Sequence, residues 1–355
     1  MKRPRLQKRT TRLKPSHLGA VYYFRFDRFG KPLKVEADHA QLLLPANLSV
    51  AVGGEPIAAM ADRSEFTQAL ADRLRTWATH LIPDAAPRVE ALAAAIAASM
   101  PHDDVNAVAV VAQSGLWCFA ADAVFDDPAA TPRDLEDLSQ ACAQVLRGQT
   151  TNRNVPLIAS LMALKRDLAG FGEFSRYGEA WRDEIDEYLA SMRWEALASA
   201  KFRSGSAPPL DLYLAHALTS TAVPLHAAVC AIVVDDAPGP LFPPPAQALI
   251  RAASLCVRLA NDLRTSEKEL VEGKVNAVAI RSSELMDSGF AGPTAWDSAR
   301  VWVRERAAAA FTTTEHALRA AQSPSGRWER AVAGAALAAA QIYATRDFGG
   351  PPAIA

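Results

Sequence analysis

Only four cysteines occur in 355 residues, Cys118, Cys142, Cys230 and Cys256, widely spaced and with no CxxC pair. That usage excludes a disulfide framework and a thiolate zinc site, and it fits buried free thiols in a reducing cytosol. Neither sign of charge is in excess: the formal net charge is −1, so bulk electrostatics point neither to nucleic acid nor to a membrane surface. No wholly apolar run approaches the roughly 20 residues that a transmembrane helix needs. The most apolar stretches, EALAAAIAASM and AVAGAALAAAQIYA, are short and Ala-rich, and they suit closely packed core helices. Walker and dinucleotide glycine patterns are missing, and the seven histidines show no metal-ligand spacing.

The opening MKRPRLQKRTTRLK has seven basic residues but no apolar core behind them, so it does not read as a secretory signal. It reads as a basic tail, with transient binding to anionic surfaces as the alternative. Residues 1–60 are expected to form this tail and a short extended arm or hairpin within AVYYFRFDRFGKPLKVEAD. Beyond them, ten segments from SEFTQALADRLRTWATHLI to GRWERAVAGAALAAAQIYATRDF place apolar residues at helical spacing. Pro, Gly, Asp or Asn separates each from the next, and Ser64 is expected to cap the first. No convincing strand and no repeat of roughly 30–45 residues appears, which predicts one all-α domain over residues 61–350 rather than a solenoid.

Within LANDLRTSEKELVEGKVNAVAI, residues 259–280, Asn261, Thr265 and Glu269 follow one another at four-residue intervals. A step of four residues on an α-helix returns to within about 40° of the same face, so the three form a slanted stripe about 12 Å long. Side chains lean toward the helix N-terminus, so the long Glu269 can reach back toward Thr265 and Asn261. An amide oxygen, a hydroxyl and a carboxylate make a hard, oxygen-only ligand set that suits Mg²⁺ sharing its shell with substrate phosphates. A solvated helix face with incidental spacing is the competing reading.

LWCFAADAVFDDP supplies a second cluster, with Asp122 and Asp126 four residues apart and Asp127 next in line. Leu116, Trp117, Phe119, Val124 and Phe125 surround them, and a carboxylate in such company is costly to bury unless paired or metal-bound. Pro128 places a helix end nearby, so exposed terminal acids are the alternative. Two oxygen-rich helical faces some 140 residues apart suggest opposite sides of one pocket.

The sequence then resembles a known family. NDLRTSEKE matches the Asn-Asp-x-x-Ser/Thr-x-x-x-Glu signature of class I terpene cyclases at Asn261, Thr265 and Glu269, and Lys268 and VNAVAI also resemble the bacterial pattern. WCFAADAVFDDP is similar to the family's aspartate-rich helix, commonly Trp-x-Phe-x-x-Asp-Asp-x-Phe-Asp, and the order and separation of the motifs fit. Arg346 in YATRDFG falls where the family has an Arg-Tyr pair. Three positions depart from the pattern. Ala123 stands where the second aspartate is usual, and Asp347 replaces the tyrosine after Arg346. In LDLYLAHALTSTAVPLH, Ala217 or a neighbour takes the place of a diphosphate-sensing arginine; His216 is the substitute, or else an ordinary core or surface histidine.

The resemblance implies a single-domain, all-α class I isoprenoid synthase helical bundle with an N-terminal extension. It implies three Mg²⁺ ions, held by Asp122 with help from Asp126 on one wall and by Asn261, Thr265 and Glu269 on the other. Lys268, Arg346 and Arg258 are the candidate diphosphate-binding cations, and Phe119, Trp117 and Trp302 the candidate pocket-lining aromatics, with ordinary core packing as their alternative. The implied reaction is ionisation and cyclisation of a linear allylic diphosphate, with geranylgeranyl diphosphate preferred over farnesyl diphosphate. That preference rests on the many Ala positions that would widen a pocket. The Asp-x-Asp-Asp acid of proton-initiated cyclases is missing; Asp103 and Asp104 read as caps and Asp235 and Asp236 as loop residues. Alternatives are a chain-elongating prenyltransferase and a degenerate, non-catalytic isoprenoid-binding protein. The expected partner is a small-molecule allylic diphosphate, without nucleic acid, in a cytoplasmic protein with homodimer formation among its expected assemblies.

Overall fold

The computed structural model of the protein describes residues 60–345, apart from positions 102, 150–153, 236, 240–241, 321–322 and 324. The expected tail and arm of residues 1–60 fall almost wholly outside the described residues, as does Arg346. The helices are α1 (Met60–Leu81), α2 (Val89–Ser99), α3 (Val105–Phe125), α4 (Pro132–Leu146), α5 (Pro156–Leu168) and α6 (Phe174–Arg203). They continue as α7 (Leu210–Ser220), α8 (Val223–Val233), α9 (Pro244–Glu272), α10 (Ala277–Asp287), α11 (Gly292–Arg319) and α12 (Arg327–Thr345). A 3₁₀ turn, Pro83–Arg88, joins α1 to α2, and the described residues contain no strand.

Local chemistry sets the helix ends. Asp104 caps α3 by accepting hydrogen bonds from the Asn106 and Ala107 amides, at 2.9 and 3.1 Å, as the sequence led us to expect. Thr131 and Asp134 form a reciprocal capping box on α4. Ser64 does not cap the first helix, because α1 already runs from Met60. The segment 210–234, read as one helix, is two. Ala222 takes a left-handed conformation (φ 60°), and Pro224 has no amide hydrogen to continue the ladder of α7. The eleven residues of α10 went unread, because so short a segment shows little periodicity.

Helix α8 is apolar nearly all round and lies at the centre, against α3, α6, α9 and α12. Helix α9 packs on α7, α8, α10, α11 and α12. Trp117, Trp181, Trp328, Tyr177 and Tyr188 are fully buried in the main core. The two Ala-rich stretches noted in the sequence pack on each other as α2 and α12. A Cβ built on Gly334 would sit 2.9 Å from Ser99 Cβ, so small residues here permit close helix approach. By length and composition alone, Val105–Phe125 and, counted across the break at Ala222, Leu210–Val233 would pass for membrane spans. In the fold, 67% and 56% of their apolar windows are buried against other parts of the protein.

Candidate active site

The stripe lies in the C-terminal half of α9. This 29-residue helix starts at two consecutive prolines and stops at Gly273, whose φ of 67° only glycine adopts without strain. Thr265 is buried and its hydroxyl donates to the Asn261 carbonyl at 2.8 Å, which leaves oxygen lone pairs for a cation. Glu269 accepts from the Asn276 side-chain amide at 2.7 Å. Asn276 is itself fully buried: its amide also donates to the Asp262 carbonyl at 2.9 Å, and its side-chain oxygen caps α10 at Val278, 2.8 Å away. Burial and the neighbouring Asp262 hold the Glu269 carboxyl well above the usual range, against the pull of Asn276, Arg258 and Thr265.

Behind the stripe runs a polar network. The fully buried Asp262 accepts from the Tyr213 hydroxyl at 2.9 Å and from the Ala277 amide at 3.0 Å. Arg258, one turn before it, lies 3.6 Å from Asp262 and 3.1 Å from Glu195 on α6. Its guanidinium also donates to Ser220 Oγ at 2.6 Å, next to the break between α7 and α8, and Ser220 bonds Glu195 in turn. Arg258 therefore occupies the part of the fold where the sensing arginine was sought, while Ala217 is fully buried and His216 stacks on Trp194 with ring centroids 4.2 Å apart.

On α3, Asp122 is half-buried and Asp126 is exposed at the C-cap. Burial is the main cause that raises the Asp122 carboxyl, with Asp126 adding to it; Lys274 and Arg88 act in the opposite direction and Glu195 reinforces the rise. Glu195 thus acts on both walls, since it also raises the Asp262 carboxyl. Lys274, just past α9, closes the link with its ammonium 2.7 Å from Asp126. Asp127 instead serves the turn after α3, accepting from the Ala129 amide at 2.8 Å.

The other residues singled out are placed as follows. Phe119 lies one turn before Asp122, with the Arg88 guanidinium 5.3 Å from its ring centroid. Trp117 points elsewhere: it is fully buried, its indole donates to the Leu157 carbonyl at 3.1 Å, and it packs against Tyr188. Trp302 lies between the Arg281 and Arg306 guanidiniums, 5.5 and 4.8 Å from its ring centroid. Lys268 is exposed and lies 4.0 Å from Glu272. An open groove of about 700 Å³, lined by Arg73, Trp77, Asn106, Gln113 and Arg166, involves none of these residues.

Glu195, Tyr213, Asp262, Lys274 and Asn276 were not singled out from sequence. Two signals were available: the i, i+4 spacing of Arg258 and Asp262, and an asparagine directly before the apolar AVAI of a new helix.

The donor chemistry fits a hard divalent cation. Asp122, Glu195, Asp262 and Glu269 concentrate negative charge that Arg258 and Lys274 only partly balance, and an added cation would relieve it. Among the described residues no three His, Cys, Asp or Glu side chains converge to hold an ion by themselves. The amide and hydroxyl oxygens of Asn261 and Thr265, with oxygens from a ligand, would complete a shell.

Comparison with known proteins agrees with this chemistry. The family model described as "Terpene synthase family 2, C-terminal metal binding" matches residues 113–306. An ent-pimara-9(11),15-diene synthase from Streptomyces sp. (strain KO-3988) is 29% identical over 218 residues, which are 59% of this chain and 72% of that protein. A chloroplastic ent-kaurene synthase from Marrubium vulgare is 30% identical over 141 residues, 37% of this chain but only 18% of the plant protein. In fold, the chain is similar to 2-methylisoborneol synthase from Streptomyces coelicolor A3(2), solved in complex with Mg²⁺ and geranyl-S-thiolodiphosphate. The TM-score is 0.65 at 14% identity, covering 81% of this chain and 94% of that one.

Proposed function

The chain belongs to the terpene synthases, lyases acting on allylic diphosphates, and we propose that it is a cytoplasmic diterpene synthase that cyclises geranylgeranyl diphosphate. The observation that carries the site assignment is the clamp of Glu269 by Asn276 at 2.7 Å, which holds the stripe's carboxylate where it also interacts with the Thr265 hydroxyl. Asn261, Thr265 and Glu269 would hold magnesium on one wall and Asp122, beside Asp126, on the other. When bound, the metal neutralises the diphosphate and so makes it a competent leaving group. The family resemblance implies three such ions, and Ala123 beside Asp122 leaves Asp122 as the first aspartate of the α3 wall.

Arg258 supplies fixed positive charge under the stripe, oriented by Glu195, Asp262 and Ser220, so no reorganisation is needed as the leaving group departs. Lys268 and Arg346 are further candidates for the diphosphate. The allylic cation left behind must be kept from water, and Phe119, one turn from Asp122, is the candidate aromatic for that pocket. Substrate length rests on the ent-pimaradiene synthase match. The Ala-rich helices give it no support, because α2 and α12 spend their small residues on contact with each other.

The test is chromatography of products from C10, C15 and C20 allylic diphosphates, with and without isopentenyl diphosphate. A cyclic hydrocarbon or alcohol from the C20 substrate alone is expected. A product from the C15 substrate alone assigns a sesquiterpene synthase, and longer diphosphates in the second mixture assign an elongating prenyltransferase. Magnesium-dependent binding without diphosphate release assigns a non-catalytic isoprenoid binder. Light scattering of the purified chain tests the homodimer that forms part of this proposal.

A further inference from the structure

The aspartate end of α3 already holds a cation that belongs to the protein. Lys274 Nζ lies 2.7 Å from Asp126 Oδ2 and 3.2 Å from Glu272 Oε2, and the side chain is only 24% exposed. Backbone geometry fixes its position. Gly273 turns left-handed, and the Lys274 amide then donates to the Glu269 carbonyl at 2.8 Å. A Cβ on Gly273 would fall 2.5 Å from Arg203 Cγ, so the corner is also closed sterically. The ammonium therefore stands where the end of the stripe helix meets the α3 carboxylates. Two of its three N–H donors are accounted for by Asp126 and Glu272, and the third is available.

A divalent ion bound to Asp126 would have to displace this ammonium or share one carboxylate with it against like-charge repulsion. We propose that Lys274 is a fixed diphosphate-binding cation that occupies Asp126 in place of a divalent ion and offers its remaining donor to a diphosphate oxygen. On this reading Asp126 is a holder for lysine, and Asp122 alone of the pair is left to a metal. The inference rests on the reading of the site as a diphosphate site.

The experiment counts Mn²⁺ bound to the full chain in the presence of inorganic pyrophosphate, by electron paramagnetic resonance. Lys274→Met, which frees Asp126, is expected to bind one more Mn²⁺ than the unsubstituted protein. The slope of log pyrophosphate affinity against log Mn²⁺ concentration should rise by about one. Lys274→Arg should match the unsubstituted protein. Asp126→Asn supplies an independent reading that needs no change at Lys274, with an unchanged Mn²⁺ count expected. An equal count and slope in Lys274→Met, or one ion fewer in Asp126→Asn, overturns the proposal and leaves the diphosphate site standing. No pyrophosphate-dependent Mn²⁺ binding in the unsubstituted protein overturns both.

Discussion

The Asn276 side-chain amide donates to Glu269 at 2.7 Å and to the Asp262 carbonyl at 2.9 Å, so one buried residue fixes the end of the proposed metal-binding stripe and ties it to the start. An outer-shell partner of this kind orients a ligand without touching the ion. Asn276→Ala is expected to weaken Mg²⁺–pyrophosphate affinity by about 10- to 100-fold, as loss of such partners does at other metal sites. It should also cost about 1–3 kcal/mol of stability, because the Asp262 carbonyl and the α10 cap lose their partners. Calorimetric titration and urea unfolding measure the two effects. Unchanged affinity with lowered stability would reduce Asn276 to a purely structural role.

Metal binding should release protons at neutral pH. Burial and neighbouring acids hold the Glu269 and Asp122 carboxyls above the usual range, so each carries part of a proton there, whereas a metal ligand must be ionised. Titrating a preformed Mg²⁺–pyrophosphate complex in buffers of different ionisation enthalpy should give heats that depend on the buffer, with the sign of net proton release. Buffer-independent heats would mean that both carboxylates are already ionised without metal.

His226 on α8 predicts acid sensitivity in the core. It lies 3.3 Å from the Ala331 carbonyl and 3.4 Å from Cys230 Sγ, and burial lowers its pKa from 6.5 to about 4. The unfolded chain takes up this proton below pH 6.5 and the folded chain only near pH 4. The stability is therefore complete above pH 6.5 and is lost as pH falls to about 4, by no more than about 3 kcal/mol. His226→Leu should flatten the fall in urea midpoint over that interval. Parallel curves for the two proteins would show that His226 titrates normally.

The contact between α2 and α12 should not tolerate even a methyl group. Gly334→Ala places a Cβ 2.9 Å from Ser99 Cβ and 3.1 Å from its Cα. Overpacking of a close helix pair costs about 1–3 kcal/mol. A clear drop in melting temperature is expected, and an unchanged one would mean that α12 shifts at no cost.

Much of this molecule could be read from residues that act within one helix. Asn261, Thr265 and Glu269 share a face because of helical periodicity, and Asp104 caps α3 through its own next turn. The ten helical segments became twelve where a local rule was outweighed. Helix α10 is too short to show a period, and Ala222 adopts a left-handed turn with no glycine to announce it. The network behind the stripe was harder. Arg258 meets Glu195 across 63 residues and Tyr213 meets Asp262 across 49, and no spacing rule links such positions before the chain is folded. Trp117 shows the converse: its place in the aspartate motif suggested the pocket, but the turn of α3 carries it to Leu157 and Tyr188.

The central claim is that oxygen ligands on α9 and α3 together hold the metal that expels diphosphate. It is tested most directly by the rate of magnesium-dependent pyrophosphate release from geranylgeranyl diphosphate, measured for the unsubstituted protein, Asn261→Ala, Glu269→Ala and Asp122→Ala. The expected result is release by the unsubstituted protein and a loss of at least about 100-fold in each variant, with helical circular dichroism preserved. Full activity in Glu269→Ala or Asp122→Ala would contradict it.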